Sequence, residues 1–223
     1  MDRLYDSLES LLPTDVSCAA GLVADHTAEL FEIERAALGN VVPKRRNEFS
    51  SGRVYARAAL AALNCPRCPI GVGADRRPNW PSGYIGSISH SSVWCTAVVG
   101  RDQRYVGIGV DIESDEPLDS PVRENICRRD EPTGVVDIHG HAIDSAKLIF
   151  VLKEAAYKAY HPGTSSFLDF HDLRITIAAP RGMFQAEIVR PGAPSLAGRR
   201  RFGGRFTWIG QHLLAAVAIE NNG

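Results

Sequence analysis

The order of periodic segments predicts an α/β (α+β) chain made of two α/β halves with a cleft between them. Two observations carry this. The patterns run strand, helix, helix, strand, strand, and then strand, helix, strands, so the second run repeats the make-up of the first. The change-over near residue 105 falls on the most regular alternation in the chain, with Val106, Ile108, Val110 and Ile112 on one face and Gly107, Gly109, Asp111 and Glu113 on the other. The halves are expected at 1–105 and 106–223, and joins of this kind are favoured ligand sites.

Each element has its local reason. Residues 16–23 read as a first strand. Leu30, Ile33, Ala37 and Leu38 have helical spacing over 28–38. Pro43 opens a long helix to about Leu63, because proline is tolerated at a helix start. Its Arg46, Arg53 and Arg57 are spaced seven and four and share one face, either solvated or anion-binding. Arg76-Arg77-Pro78-Asn79-Trp80-Pro81-Ser82-Gly83 reads as a loop. Strands follow over 84–90 and 93–99, and then over 105–113, which reads as half-buried, with its glycines leaving room for a ligand near the backbone. Residues 114–143 are polar and proline-dotted, a crossing loop with short helices. A helix over 145–160 is capped by Asp144 or Ser145 and stopped by His161-Pro162-Gly163. Strands are expected over 173–178, 184–189 and 213–219, and the Pro-, Gly- and Arg-rich 190–205 reads as a mobile hairpin tip.

Composition excludes several classes. A hydrophobic fraction of 44% and a charged fraction of 23% across 223 residues are ordinary for a globular chain with a real core. A net charge of −1 gives no global field toward nucleic acid or membrane. The start Met1-Asp2-Arg3-Leu4-Tyr5 lacks the pattern of a signal peptide, and no apolar run reaches a membrane span, so a cytoplasmic protein is expected. Five cysteines without a signal peptide argue against a disulfide framework. Cys65-Pro66-Arg67-Cys68 has no second pair with which to hold zinc, and its prolines suggest a turn rather than a redox helix start.

The chemistry concentrates in two segments. Asp111 and Glu113 lie two apart on a strand, hence on one face and roughly 7 Å apart, within reach of one hard cation such as Mg²⁺. On the later helix Glu154 and Lys158 are four apart and share a face. Singly, these are common surface patterns; together, with Lys153 beside Glu154, they place three acids and two lysines where a divalent metal and a phosphate could meet.

Five ordered motifs carry a resemblance: Gly52-Arg53-x3-Arg57-Ala58-Ala59-Leu60, Arg77-Pro78-x-Trp80-Pro81-x-Gly83, Gly86-Ser87-Ile88-Ser89-His90-Ser91, Gly109-Val110-Asp111-Ile112-Glu113 and Phe150-x2-Lys153-Glu154-Ala155-x-Tyr157-Lys158-Ala159. In this order they resemble the Sfp/EntD-type 4′-phosphopantetheinyl transferases, nearest the EntD-like branch, over about residues 45–160. The resemblance implies that family's fold, two pseudo-symmetric α/β halves with the active site between them. It also implies transfer of the phosphopantetheine arm of coenzyme A to a serine of an apo acyl, peptidyl or aryl carrier protein, releasing adenosine 3′,5′-bisphosphate. By motif, Asp111, Glu113 and Glu154 would hold Mg²⁺, with Mn²⁺ as an alternative, and Lys158 would neutralise the leaving group. Arg77, Ser89 and His90 would meet phosphates, with His90 at the 3′-phosphate. Arg53, with Arg45 or Arg57, would grip the nucleotide. Glu154 would take the serine proton, directly or through a metal-bound water.

The bland readings are a packing wedge for Trp80, core for Tyr157 and a snorkelling chain for Lys153. Two departures from the family stand out: Ser91-Ser92-Val93-Trp94 after the Ser-His pair, and Phe150-Val151-Leu152 before Lys153. Neither removes a metal ligand. Arg123, Arg128 and Arg129 are expected to face the acidic carrier, no nucleic acid or membrane partner is expected, and the branch leans toward siderophore and other secondary metabolism. Two halves supplying one cleft favour a monomer. The rivals are a Mg²⁺-dependent nuclease or phosphodiesterase and a non-catalytic module that binds coenzyme A or a carrier.

Overall fold

A short amphipathic helix precedes the first expected strand. The computed structural model describes residues 2–73 and 75–221, and α1 spans Asp2–Ser10. Leu4 and Leu8 lie four apart and both are buried, with Leu11 just beyond. They share a core with Ile108, Val110 and Ile112. Then come β1 (Ser17–Leu22), a 3₁₀ turn (Thr27–Glu29), α2 (Glu32–Leu38), α3 (Pro43–Ala62), β2 (Gly71–Val72), β3 (Pro78–Asn79), β4 (Tyr84–His90), β5 (Trp94–Arg101) and β6 (Tyr105–Ser114). The later part holds α4 (Ser120–Ile126), β7 (Val135–Ile138), β8 (His141–Asp144), α5 (Ser145–Thr164), β9 (Leu173–Ala178), β10 (Met183–Ile188), β11 (Arg201–Ile209) and β12 (His212–Glu220).

The strands form two main antiparallel sheets, β1-β5-β4 and β6-β12-β11-β10-β9. Helix α3 covers the first through Ala56, Ala59 and Leu60, which meet Ala97 and Val99. Helix α5 covers the second through Leu148, Val151, Leu152 and Ala155. Between the sheets, β4 and β6 are bridged by side chains: Ser87 Oγ accepts from Val110 N–H (3.2 Å) and Ser89 Oγ from Ile112 N–H (3.3 Å).

Strand β6 is buried on both faces, so its alternation marks two different coverings rather than core and solvent. A Cβ at Gly109 would fall on the carbonyl oxygen of Ala155, and one at Gly107 on that of Ala159. These glycines admit the backbone of α5, not a ligand, which corrects the sequence expectation.

Three other expectations shift. Residues 190–205 do not form only a hairpin tip, because β11 begins at Arg201 and pairs with both β10 and β12. A Cβ at Gly204 would strike the Phe184 ring, so this glycine makes room for packing. Helix α5 runs through Pro162 to Thr164 and ends at Ser165, a left-handed cap whose N–H bonds His161 O at 2.8 Å. Lys153 does not snorkel. It is 1% exposed, and its ammonium donates to Glu131 Oε2 (2.8 Å), Ile126 O (2.8 Å) and Phe170 O (2.9 Å). Glu131 also accepts from Ile175 N–H (2.7 Å) and Arg128 N–H (2.8 Å), so this buried pair fastens the crossing segment to α5. No helix among the described residues is long and apolar enough to cross a membrane.

Candidate functional site

The junction of the two sheets gathers the charged groups. Asp111 is 2% exposed on the α5-facing side of β6. Its Oδ1 accepts from Ser89 Oγ (2.7 Å) and from Lys158 Nζ (2.6 Å), and Lys158 also donates to Ser89 Oγ (3.1 Å). Its Oδ2 is buried with no hydrogen-bond partner. An orphaned carboxylate oxygen in a buried site is costly unless something binds it.

Glu113 and Glu154 belong to the same electrostatic cluster. Burial pushes the Glu154 carboxyl above the ordinary range; Lys158 opposes this, and the charges of Asp111 and Glu113 add to it. Glu113 is raised by burial and then by Asp111, against Lys147, whose ammonium lies 3.4 Å away. Burial works against the Lys158 ammonium, but Asp111 and Glu154 outweigh it and hold its pKa above that of ordinary lysine. Three carboxylates with one orphaned oxygen are a hard-oxygen donor set, which fits a small divalent cation. As they stand, no three His, Cys, Asp or Glu residues converge into a finished cage among the described residues.

Two adjoining cavities open beside this cluster. One, of about 580 Å³, is lined by Arg77, Trp80, Ser87, Tyr157, Lys158 and His161. The other, of about 520 Å³, is lined by Arg45, Glu48, Phe49, Arg53, Val72 and His90. They share Arg76, Pro78 and Ile88. Tyr157 is therefore a wall of the first cavity, its ring 5.1 Å from that of His161, while Tyr160 takes the core position. Trp80 is both wall and packing wedge, since it fills the space above Gly86.

The expected phosphate-binding residues divide. Arg77 pairs with Asp75 and reaches His161 O (3.5 Å) across the first cavity. His90 faces Glu48 (3.8 Å); burial lowers its pKa, Glu48 opposes the shift, and Arg45 and Lys158 add to it. Arg45 is exposed at the second cavity and lies 3.7 Å from Glu48. Arg53 is 5% exposed, donates to Ile70 O (2.7 Å) and Gly71 O (3.2 Å), and burial brings its pKa down to about 10. Arg57 lies apart from both cavities, on the fully buried carboxylate of Glu34 (2.7 and 2.8 Å). Arg46 lies 3.2 Å from Asp25. Within the basic stripe of α3, Arg53 and Arg57 are thus spent on the chain's own buried acceptors, while Arg46 stays half-exposed beside Asp25.

Sequence reasoning missed Lys147, Glu48 and Ser87. Lys147 was findable, being seven residues before Glu154 and eleven before Lys158, on the same helical face. Elsewhere, Arg123 pairs with Asp144 (3.0 Å) and Arg128 with Asp130 (2.9 Å), and with Arg129 they line a groove of about 940 Å³. All five cysteines are free.

A family model described as the 4′-phosphopantetheinyl transferase N-terminal domain matches residues 33–100, and one described as the 4′-phosphopantetheinyl transferase superfamily matches residues 107–197. The chain is 33% identical to 4′-phosphopantetheinyl transferase Svp of Streptomyces mobaraensis over 197 residues, 87% of this chain and 80% of that protein. It is 30% identical to 4′-phosphopantetheinyl transferase Npt of Nocardia iowensis over 220 residues, 95% of this chain and 99% of that one. With enterobactin synthase component D of Escherichia coli (strain K12) it shares 34% identity over 139 residues, 60% of this chain and 65% of the relative.

Proposed function

This chain belongs to the 4′-phosphopantetheinyl transferase superfamily, and from that premise we propose how its cleft transfers the phosphopantetheine arm of coenzyme A to the serine of a carrier protein. The observation that carries the reading is the Ser89–Asp111–Lys158 cluster with its orphaned Asp111 Oδ2. Asp111, Glu113 and Glu154 would hold the divalent cation, Mg²⁺ or Mn²⁺. When bound, the cation supplies positive charge against the pyrophosphate.

The residues do the rest. The carrier serine oxygen attacks the phosphorus that bears the pantetheine arm, and the bond to the bridging oxygen breaks. Glu154 takes the serine proton at a carboxylate oxygen, directly or through a water; in the protein alone, burial raises its pKa above the ordinary carboxylate range. Lys158 faces the leaving oxyanion, so adenosine 3′,5′-bisphosphate departs with its new charge compensated. The cavity of His90 and Arg45 receives the adenosine end with its 3′-phosphate, and Arg53 is that cavity's wall. The cavity of Arg77, Tyr157 and His161 receives the pyrophosphate and the pantetheine arm. Arg57 serves as a buried strut on Glu34 rather than as a nucleotide contact. The groove of Arg123, Arg128 and Arg129 meets the acidic carrier. Likeness to enterobactin synthase component D favours carriers of siderophore and peptide synthesis.

The test is label transfer from a fluorescent coenzyme A to purified apo carrier proteins, with Mg²⁺ and with excess chelator. Metal-dependent labelling of the carrier serine is expected, and Asp111→Ala and Glu154→Ala should fall by at least about a hundredfold. Wild-type rates in either variant, or labelling that persists in chelator, would remove the site assignment.

A further inference from the structure

The first turn of α5 holds a lysine where burial and helix electrostatics both oppose it. Lys147 is 6% exposed. It is the third residue of the helix, where the macrodipole already concentrates positive charge. Its own N–H is spent on the Asp144 cap at 3.3 Å. Its ammonium lies 3.4 Å from Glu113 Oε2 and 5.3 Å from the centre of the Phe150 ring. A buried cation at a helix N-terminus destabilises the fold unless a carboxylate offsets it, and here that carboxylate is Glu113. Lys158 cannot take this place, being tied to Asp111 and Ser89.

We propose that Lys147 is a positioning residue for the transfer, a built-in counter-ion that orients Glu113 and weakens cation binding until coenzyme A is present. The inference rests on the reading of Asp111, Glu113 and Glu154 as the cation's ligands. A dication approaching Glu113 must compete with a partner already in place and then sit near a fixed ammonium. Both effects weaken its hold on the protein alone. The pyrophosphate brings its own negative charge, so cation and substrate bind better together than apart.

The test titrates Mn²⁺ into the full chain after chelator treatment, reading the free ion by electron paramagnetic resonance, without and with coenzyme A. Lys147→Gln is expected to bind Mn²⁺ roughly tenfold more tightly than wild type without coenzyme A, and the gap should narrow when coenzyme A is added. Lys147→Arg keeps the charge and should stay near wild type. A purely structural role would lower the stability of Lys147→Gln without tightening Mn²⁺ binding, so equal or weaker binding overturns the proposal. If Lys147→Gln does not fold, Lys147→Met, which keeps the stem beside Phe150, carries the same expectation. Failure of both to fold would assign Lys147 to the fold alone and overturn it too. Wild type that binds no Mn²⁺ even with coenzyme A present, or Asp111→Asn that binds as wild type does, would instead overturn the metal assignment and this inference with it.

Discussion

At the scale of single residues, His90 offers a sharp measurement. Burial lowers its pKa in the free protein, so at neutral pH the ring is mostly uncharged. A phosphate beside it would favour the charged form and raise the pKa again. Binding then takes up a proton in the window between the two values, and affinity rises as pH falls through it. Coenzyme A should bind more tightly at pH 6 than at pH 7.5 by calorimetry, and His90→Gln should lose that part of the dependence. An identical pH profile in the variant would take His90 away from the phosphate. Arg129 gives a second test: Arg129→Glu should raise the KM for the carrier severalfold while the KM for coenzyme A holds. The residues at the junction were legible because period two on β6 and a spacing of four on α5 fix which side chains share a face. Arg57 misled because spacing defines a face without saying what covers it. Its partner Glu34 lies between the apolar positions of the helix read over 28–38, and only the fold brings that carboxylate against α3.

At the scale of elements, α5 is held in place twice. Its close approach to β6 depends on Gly109, so Gly109→Ala should lower stability by about 1–3 kcal/mol through overpacking. Because α5 carries Glu154 and Lys158, activity should fall further than stability alone explains, which parallel denaturant and transfer assays would reveal. The other tie is Lys153 on Glu131. Glu131→Gln leaves a buried ammonium short of its counter-charge and should cost about 3–5 kcal/mol, whereas Lys153→Met with Glu131→Leu should recover much of it. If the single variant unfolds at the wild-type urea midpoint, the tie is not a tie. Elements with clean periodicity, such as Tyr84–His90 and Pro43–Ala62, were readable nearly to their ends. Strand β11 and the β7–β8 hairpin were not, because internal glycines and polar residues imitate turns when no neighbouring strand is in view.

At the scale of the whole molecule, the two sheets meet where coenzyme A is proposed to lie, so ligand should stabilise the entire chain. At a hundredfold excess over the dissociation constant, coenzyme A with Mg²⁺ should add about 2.7 kcal/mol. Dephospho-coenzyme A should add less, through loss of the contacts of His90 and Arg45; equal thermal shifts would argue against that end of the site. The hydroxyl of Ser89 sits at this junction with its capacity filled, donating to Asp111 and accepting from Lys158 and Ile112 N–H. A newcomer can reach it only by evicting one of those three. Recognition at this atom is therefore a change of dancing partners in which the number of bonds is conserved, and it will show as selectivity for shape while adding little heat of its own.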